Sequence, residues 1–183
     1  MHTFGLGPRT EVSTLELKYI PLFAYADSDW GGDSVDRRSY SGYVFMLGGG
    51  AISYESRKQR TVALSSTEAE YMALSDSCKE AKFLINVLND LKANEQFSHL
   101  VRTPITIYND NRSAQFMTRN EVVNARTKHI DIRHHFIREN VKSGEIEIKY
   151  KDTKSMVADI LTKPLSADKT EFCLKGLGFG HCK

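Results

Sequence analysis

A chain of 183 residues, 40% hydrophobic and 26% charged, holds enough apolar material for one globular core with small appendages. It has no apolar run of about 18 residues, which excludes a membrane-spanning helix. Its net charge of +2 means that any claim of nucleic-acid binding must rest on local clustering. The N-terminus lacks the basic-then-apolar order of a signal peptide. Three cysteines (Cys78, Cys173 and Cys182) are too few and too scattered for a disulfide framework or a zinc site, and they fit a reducing compartment.

In chain order, residues 1–13 show no period, and Leu15–Ile20 alternates enough for a strand before Pro21. Leu22–Asp27 is an apolar run ending in acid, the pattern of a buried strand. Ser28, Asp29, Trp30 and the turn former Gly31-Gly32 follow. Tyr40–Leu47, the triplet Gly48–Gly50 and Ala51–Ser56 read as a hairpin. Lys58, Gln59 and Arg60 lead through Thr61–Leu64 into the longest helix, which ends near Leu91. A polar loop, Lys92–Pro104, precedes a strand over Ile105–Asp110, again ending in acid. Asn111–Arg119 is a short helix, and Arg126–Lys142 a basic one with Ile130, Ile137 and Val141 as its apolar stripe. Ser143-Gly144 stops that helix. Glu145–Tyr150 alternates as a strand. Asp152 or Thr153 caps a last short helix, Lys154–Lys163, closed by Pro164. A further turn is expected around Phe172–Leu177. This order implies a mixed sheet, an antiparallel hairpin set joined to crossovers, with helices on its faces.

The long helix opens on two overlapping capping boxes, Ser65 with Glu68 and Thr67 with Glu70. Beyond them Leu74, Cys78, Ala81, Leu84, Ile85, Leu88 and Leu91 recur every three or four residues and form one buried face. Glu70 lies one turn before Leu74 on that face. It is either a first-turn cap favoured by the helix dipole or a buried carboxylate in need of a cation.

Four acids stand out by position. Asp27 and Asp110 end strands, Glu70 begins the long helix, and Asp159 lies in the last one. Each has an ordinary explanation alone, as a turn former or solvated residue. Gathered at one sheet edge, they would raise each other's pKa unless cations shared the site. Hard divalent ions with oxygen ligands answer that need. A pair of them can activate a water and steady a leaving oxygen in phosphodiester cleavage.

Several strings resemble the ribonuclease H region of copia-type retrotransposon polyproteins. They are Tyr25-Ala26-Asp27-Ser28-Asp29-Trp30-Gly31-Gly32, Arg38-Ser39-Tyr40-Ser41-Gly42-Tyr43-Val44-Phe45, Ala63–Leu74 and Tyr108-Asn109-Asp110-Asn111. Arg126-Thr127-Lys128-His129-Ile130-Asp131-Ile132-Arg133 and Ala158-Asp159-Ile160-Leu161-Thr162-Lys163 complete the match, which runs from about Leu22 to Leu165. The resemblance implies an α/β fold, a ribonuclease H-like mixed five-stranded sheet of order 3-2-1-4-5 flanked by helices. It implies Mg²⁺-dependent cleavage of the RNA strand of RNA–DNA hybrids during reverse transcription. Two ions, with Mn²⁺ as a substitute, would be held by Asp27, Glu70, Asp110 and Asp159, the catalytic set. Asp27 is preferred to Asp29 as first acid because Gly31-Gly32 ends the strand. The histidine that many cellular ribonucleases H carry after the fifth strand is missing from Tyr150–Ser155. The expected division is residues 1–20 as the end of a reverse transcriptase connection or an edge, 21–165 as the ribonuclease H domain, and 166–183 as a tail. Partners would be the hybrid and the reverse transcriptase domain of the same polyprotein, with no membrane. The expected location is the cytoplasm, virus-like particles included.

A hybrid is recognised through phosphates, minor-groove shape and 2′-hydroxyls. Arg126, Lys128, His129 and Arg133 of the basic helix, with Ser66, Asn111 and Ser113 beside the acids, are the candidate contacts. Arg138, Lys142, Arg57, Lys58 and Arg60 add further charge, and Gln115 another polar donor. His134 and His135 are expected on the surface of the basic helix. Two alternatives are an inactive ribonuclease H-like structural or nucleic-acid-binding module and a 3′–5′ exonuclease with the same acids.

Overall fold

The computed structural model describes residues 21–92, 103–119 and 128–179. Five strands form one sheet: β1 (Phe23–Ser28), β2 (Tyr40–Leu47), β3 (Gly50–Lys58), β4 (Ile105–Asn109) and β5 (Ile146–Tyr150). Their spatial order is β3-β2-β1-β4-β5, the mixed sheet of order 3-2-1-4-5 expected from sequence. β1 pairs antiparallel with β2 and parallel with β4, and β4 pairs parallel with β5. The two-residue turn of the β2–β3 hairpin uses Gly48 and Gly49, both left-handed (φ +62° and +85°), a conformation that L side chains resist.

The helices are α1 (Ser66–Lys92), α2 (Arg112–Arg119), α3 (Lys128–Lys142) and α4 (Ala167–Gly176). α1 starts at Ser66 because the Ser65/Glu68 cap is the one that forms. The Ser65 hydroxyl accepts the Glu68 N–H at 3.1 Å, and the Glu68 carboxylate accepts the Leu64 N–H at 2.8 Å. The alternative cap by Glu70 is not made, so that side chain is left for other partners. Tyr71, Leu74, Cys78, Ala81 and Ile85 of α1 pack into the core against Ala24, Ala26, Phe45, Ile105, Ile107 and Ile148. Leu91, expected on the same stripe, is exposed. At 27 residues the helix is about 40 Å long and outruns strands of five to nine residues.

α3 closes this layer with buried Ile137 and stops at left-handed Gly144. His134, expected on the surface, is stacked on the Tyr71 ring with centroids 4.1 Å apart. The expected strand over Leu15–Ile20, most of the loop Lys92–Pro104, and Arg126 lie outside the described residues.

The expected helix Lys154–Lys163 is instead two 3₁₀ turns, Thr153–Ser155 and Val157–Leu161, joined through Met156 in extended conformation. Met156, Val157, Ala158 and Asp159 are buried in succession, more than one helical face can bury. Where a tail with one turn around Phe172–Leu177 was expected, α4 forms behind the N-cap Ser166 and buries Cys173. Its end reaches the β3 edge, where Leu177 O accepts the Ala51 N–H at 3.1 Å. That contact covers part of an edge otherwise open to pairing.

Gly42, paired with Asp27 across β1–β2, sets how closely the second 3₁₀ turn approaches the sheet. A Cβ there would sit 2.7 Å from Leu161 Cβ and 2.8 Å from Thr162 Cγ2. Gly42→Ala is therefore expected to cost about 1–3 kcal/mol through overpacking. Gly50→Ala, which meets open space, is expected to stay within about 0.5 kcal/mol. Urea midpoints of the two variants, read at unchanged m-value, test this contrast.

Candidate active site

Parallel pairing of β1 with β4 brings their C-terminal ends to one edge of the sheet, and α1 crosses that edge with its second turn. Asp27 at the end of β1, Glu70 on α1 and Asp110 just past β4 are thereby gathered. Each presents a carboxylate oxygen within 4.8 Å of the others. Asp27 and Glu70 are buried and Asp110 is half-buried. The Glu70 carboxylate accepts the Ser28 N–H at 3.3 Å and the Asn109 Nδ2–H at 2.8 Å. Asn109, fully buried, also donates to Ala26 O at 3.1 Å, so one amide ties Glu70 to both central strands. Asp110 accepts the Thr153 hydroxyl at 2.6 Å.

Asp159 is buried beside Asp27 but stands apart from this trio. The Lys163 ammonium lies 2.6 Å from Asp159 Oδ1 and 3.4 Å from Asp27 Oδ2, bridging the two acids. Lys169 holds the other Asp159 oxygen at 3.0 Å. It is itself placed by the carbonyls of Thr153 and Lys154, at 2.8 and 2.9 Å. The Thr162 hydroxyl donates to Asp27 Oδ2. Asp29 faces elsewhere: its carboxylate accepts the Tyr40 N–H and lies against Gly32. Asp27, and not Asp29, is the acid grouped with Glu70 and Asp110.

Burial is the main reason that the Asp27 carboxyl is raised from its ordinary 3.8 to about 7. Lys163 and the Thr162 hydroxyl oppose the rise, while Asp159 and Asp110 add to it. Burial likewise pushes Glu70 well above the usual range, helped by the Asp27 charge and resisted by the Asn109 hydrogen bond. Desolvation works against the Lys163 ammonium, yet Asp27 and Asp159 outweigh it and keep its pKa above normal. Three carboxylates and no softer ligand, with an oxygen of each within 4.8 Å of the others, fit a hard divalent cation such as Mg²⁺.

The expected nucleic-acid contacts are more dispersed. Ser66 and Ser113 are exposed at the starts of α1 and α2. Asn111 spends its side-chain oxygen on the Ala114 N–H at 2.9 Å, capping α2. Arg133 leans on α1, 3.4 Å from Met72 O and 3.6 Å from Asp76. With Arg57, Arg60 and Lys79 it lines a basic recess of about 200 Å³ that has Asp76 at its side. Of Lys128 and His129 only the backbone, in α3, is described, and Arg126 lies outside the described residues. Sequence reasoning missed Asn109, Thr162, Lys163 and Lys169. Lys163 had a signal, since it follows Asp159 by four residues; Lys169 had none.

No family model matches the chain. The retrovirus-related Pol polyprotein from transposon RE2 of Arabidopsis thaliana is 42% identical over 147 residues, 80% of this chain and 10% of the relative. That from transposon TNT 1-94 of Nicotiana tabacum is 39% identical over 157 residues, 86% of this chain and 11% of the relative. The chain therefore spans about a tenth of the length of the curated relatives it matches. The solved ribonuclease H1 of the halophilic archaeon Halobacterium salinarum is similar in fold. It has a TM-score of 0.54 at 15% identity, covering 78% of this chain and 94% of that one.

The raised Asp27 carboxyl has a consequence for stability. From its ordinary 3.8 up to about 7, the folded protein keeps a proton on Asp27 that the unfolded chain has released. Through that window Asp27 therefore makes stability fall as pH rises. Asp27→Asn removes the titration. In EDTA its melting temperature is expected to gain on the wild type between about pH 4 and about pH 7; a difference constant with pH would contradict the assignment.

Proposed function

Because this chain is a ribonuclease H domain of the kind found in retrovirus-related Pol polyproteins of copia-type transposons, we propose that it cleaves the RNA strand of RNA–DNA hybrids internally during reverse transcription. The observation that carries the reading is the convergence of Asp27, Glu70 and Asp110 within 4.8 Å. In this reading Asp27, Glu70 and Asp110 would hold one Mg²⁺, and Asp159 would contribute to a second once Lys163 yields its place, with Mn²⁺ as a substitute. Bound there, such cations would supply the charge that activates an attacking water and steadies the departing 3′ oxygen.

The protein's own groups prepare that chemistry. Asn109 and the Ser28 N–H fix the Glu70 carboxylate, so its orientation costs nothing when substrate arrives. Thr162 does the same for Asp27, and Thr153 for Asp110. Lys163, charged between Asp27 and Asp159, supplies positive charge at the edge of the site. Ser66, Asn111 and Ser113 are the polar contacts to sugar and phosphate. Arg126, Lys128, His129 and Arg133 are the cationic ones, and they bind the backbone with little regard for sequence. The physiological partner is the reverse transcriptase domain of the same polyprotein, and the setting is the cytoplasm.

The test is hydrolysis of an end-blocked, labelled hybrid with Mg²⁺ and with EDTA. Internal cutting that needs Mg²⁺ is expected. Asp110→Asn and Glu70→Gln should each lower the rate about a hundredfold or more, since metal-borne charge stabilisation is worth several kcal/mol at about 1.36 kcal/mol per tenfold. Equal rates in wild type and variants would refute the site, and no cutting by the wild type would favour the inactive-module reading. Separately, Mg²⁺ at about a hundred times its Kd should stabilise the wild type by about 2.7 kcal/mol. Asp110→Asn should lose most of that gain in a thermal melt.

A further inference from the structure

Trp30 is the single tryptophan of the chain, and 59% of it is exposed. It stands three residues past Asp27. Its indole N–H donates to Ala63 O at 3.2 Å, on the segment that feeds α1 and Glu70. The backbone on either side is equally fixed. The Asp29 N–H donates to Tyr40 O at 3.1 Å, and the Asp29 carboxylate accepts the Tyr40 N–H. The Gly31 N–H donates to the Ser39 hydroxyl at 3.0 Å, with Gly31 left-handed at φ +63°. One edge of the ring is thus tied down while the rest faces solvent, with Val62 and Leu64 exposed on the segment it is tied to. Scattered apolar residues on a surface need no explanation. A large ring immobilised across the two elements that carry Asp27 and Glu70 does.

We propose that Trp30 is an aromatic platform for the bound nucleic acid, packing against a sugar exposed in the minor groove within about three nucleotides of the reacting phosphate. Three residues of chain span at most about 10 Å, and successive base pairs rise about 3.4 Å. A duplex whose phosphate lies over the acids therefore brings neighbouring sugars to the ring. A ring already held in place loses little freedom on contact. Its face suits the apolar side of a sugar, and its N–H is already spent on Ala63. This contact rests on the hybrid-cleaving reading of the site and names a substrate-binding residue for it.

The experiment titrates the full chain with an RNA–DNA hybrid in EDTA and reads two signals: anisotropy of the labelled hybrid and intrinsic fluorescence of Trp30. Binding should change the tryptophan emission with the same midpoint as the anisotropy. Trp30→Ala should weaken binding about tenfold, the scale of an aromatic platform contact, and Trp30→Phe should recover most of the loss. Because Trp30 neutralises no phosphate, the slope of log affinity against log salt should match the wild type in both variants. Binding without an emission change, with Trp30→Ala as tight as wild type, overturns the platform and leaves the nuclease reading intact. Trp30→Phe as weak as Trp30→Ala assigns the effect to the Ala63 hydrogen bond and also overturns it. A flat anisotropy signal removes platform and hybrid binding together.

Discussion

Burial of the Asp27 and Glu70 carboxylates close to one another and to Asp110 is the constraint around which the rest of the molecule is arranged. At the 4.8 Å limit of their separation, two unit charges cost each other about 3.5 kcal/mol at an effective dielectric of 20. Burial of the first two adds the loss of hydration. The fold answers with one donor from nearly every neighbouring element: the Ser28 N–H from β1, Asn109 from β4, Thr153 and Thr162 from the two sides of the 3₁₀ segment, and Lys163 just beyond it. Each works only if the sheet order is right. A slip of one residue in β4 would turn Asn109 away from Glu70.

The contrast between Asp159 and the other three acids shows two ways to keep a carboxylate in a protein interior. Asp159 is paired with Lys163 and Lys169 and hidden by its own turn, the arrangement that makes a buried charge tolerable. The other three share few cations and lean on neutral donors, which orient them while burial holds Asp27 and Glu70 toward the protonated form. Stability is thereby given up locally where a cation has most to gain by binding. Lys163 touches both kinds of acid, so its ammonium links the lysine-paired part of the site to the part held by neutral donors.

Much of this was legible in the residues. Apolar runs that end in acid marked Asp27 and Asp110 as strand-end groups, and the three-four stripe behind Glu70 put that carboxylate on a core-facing helix surface. Sheet order followed from the family resemblance, and the pairing bears it out. What stayed hidden was long-range or without a period. Asn109 beside Asp110 looks like a turn former until β1 supplies Ala26 O. Four consecutive buried residues at Met156–Asp159 carry no helical or strand periodicity, so the two 3₁₀ turns read as one helix. α4 is weakly amphipathic and buries only Cys173 among its ten residues, and a local reading took it for a tail. His134 stacks on Tyr71, from a different helix more than sixty positions away, and nothing local distinguishes it from a surface histidine.

Thr162 and Asp27 meet across 135 positions of sequence. At translation rates of about 5–20 residues per second, the strand bearing Asp27 waits roughly 7–27 s on the ribosome for that partner to be made. Asp27, Glu70 and Asp110 are synthesised well before Lys163 and Lys169. All five strands, the last ending at Tyr150, are synthesised before Lys163 and Lys169, so the nascent sheet edge carries its acids before those lysines are available. Contacts of such sequence separation form slowly, and they make the segment Met156–Lys169 the one that decides whether the sheet edge is tolerable.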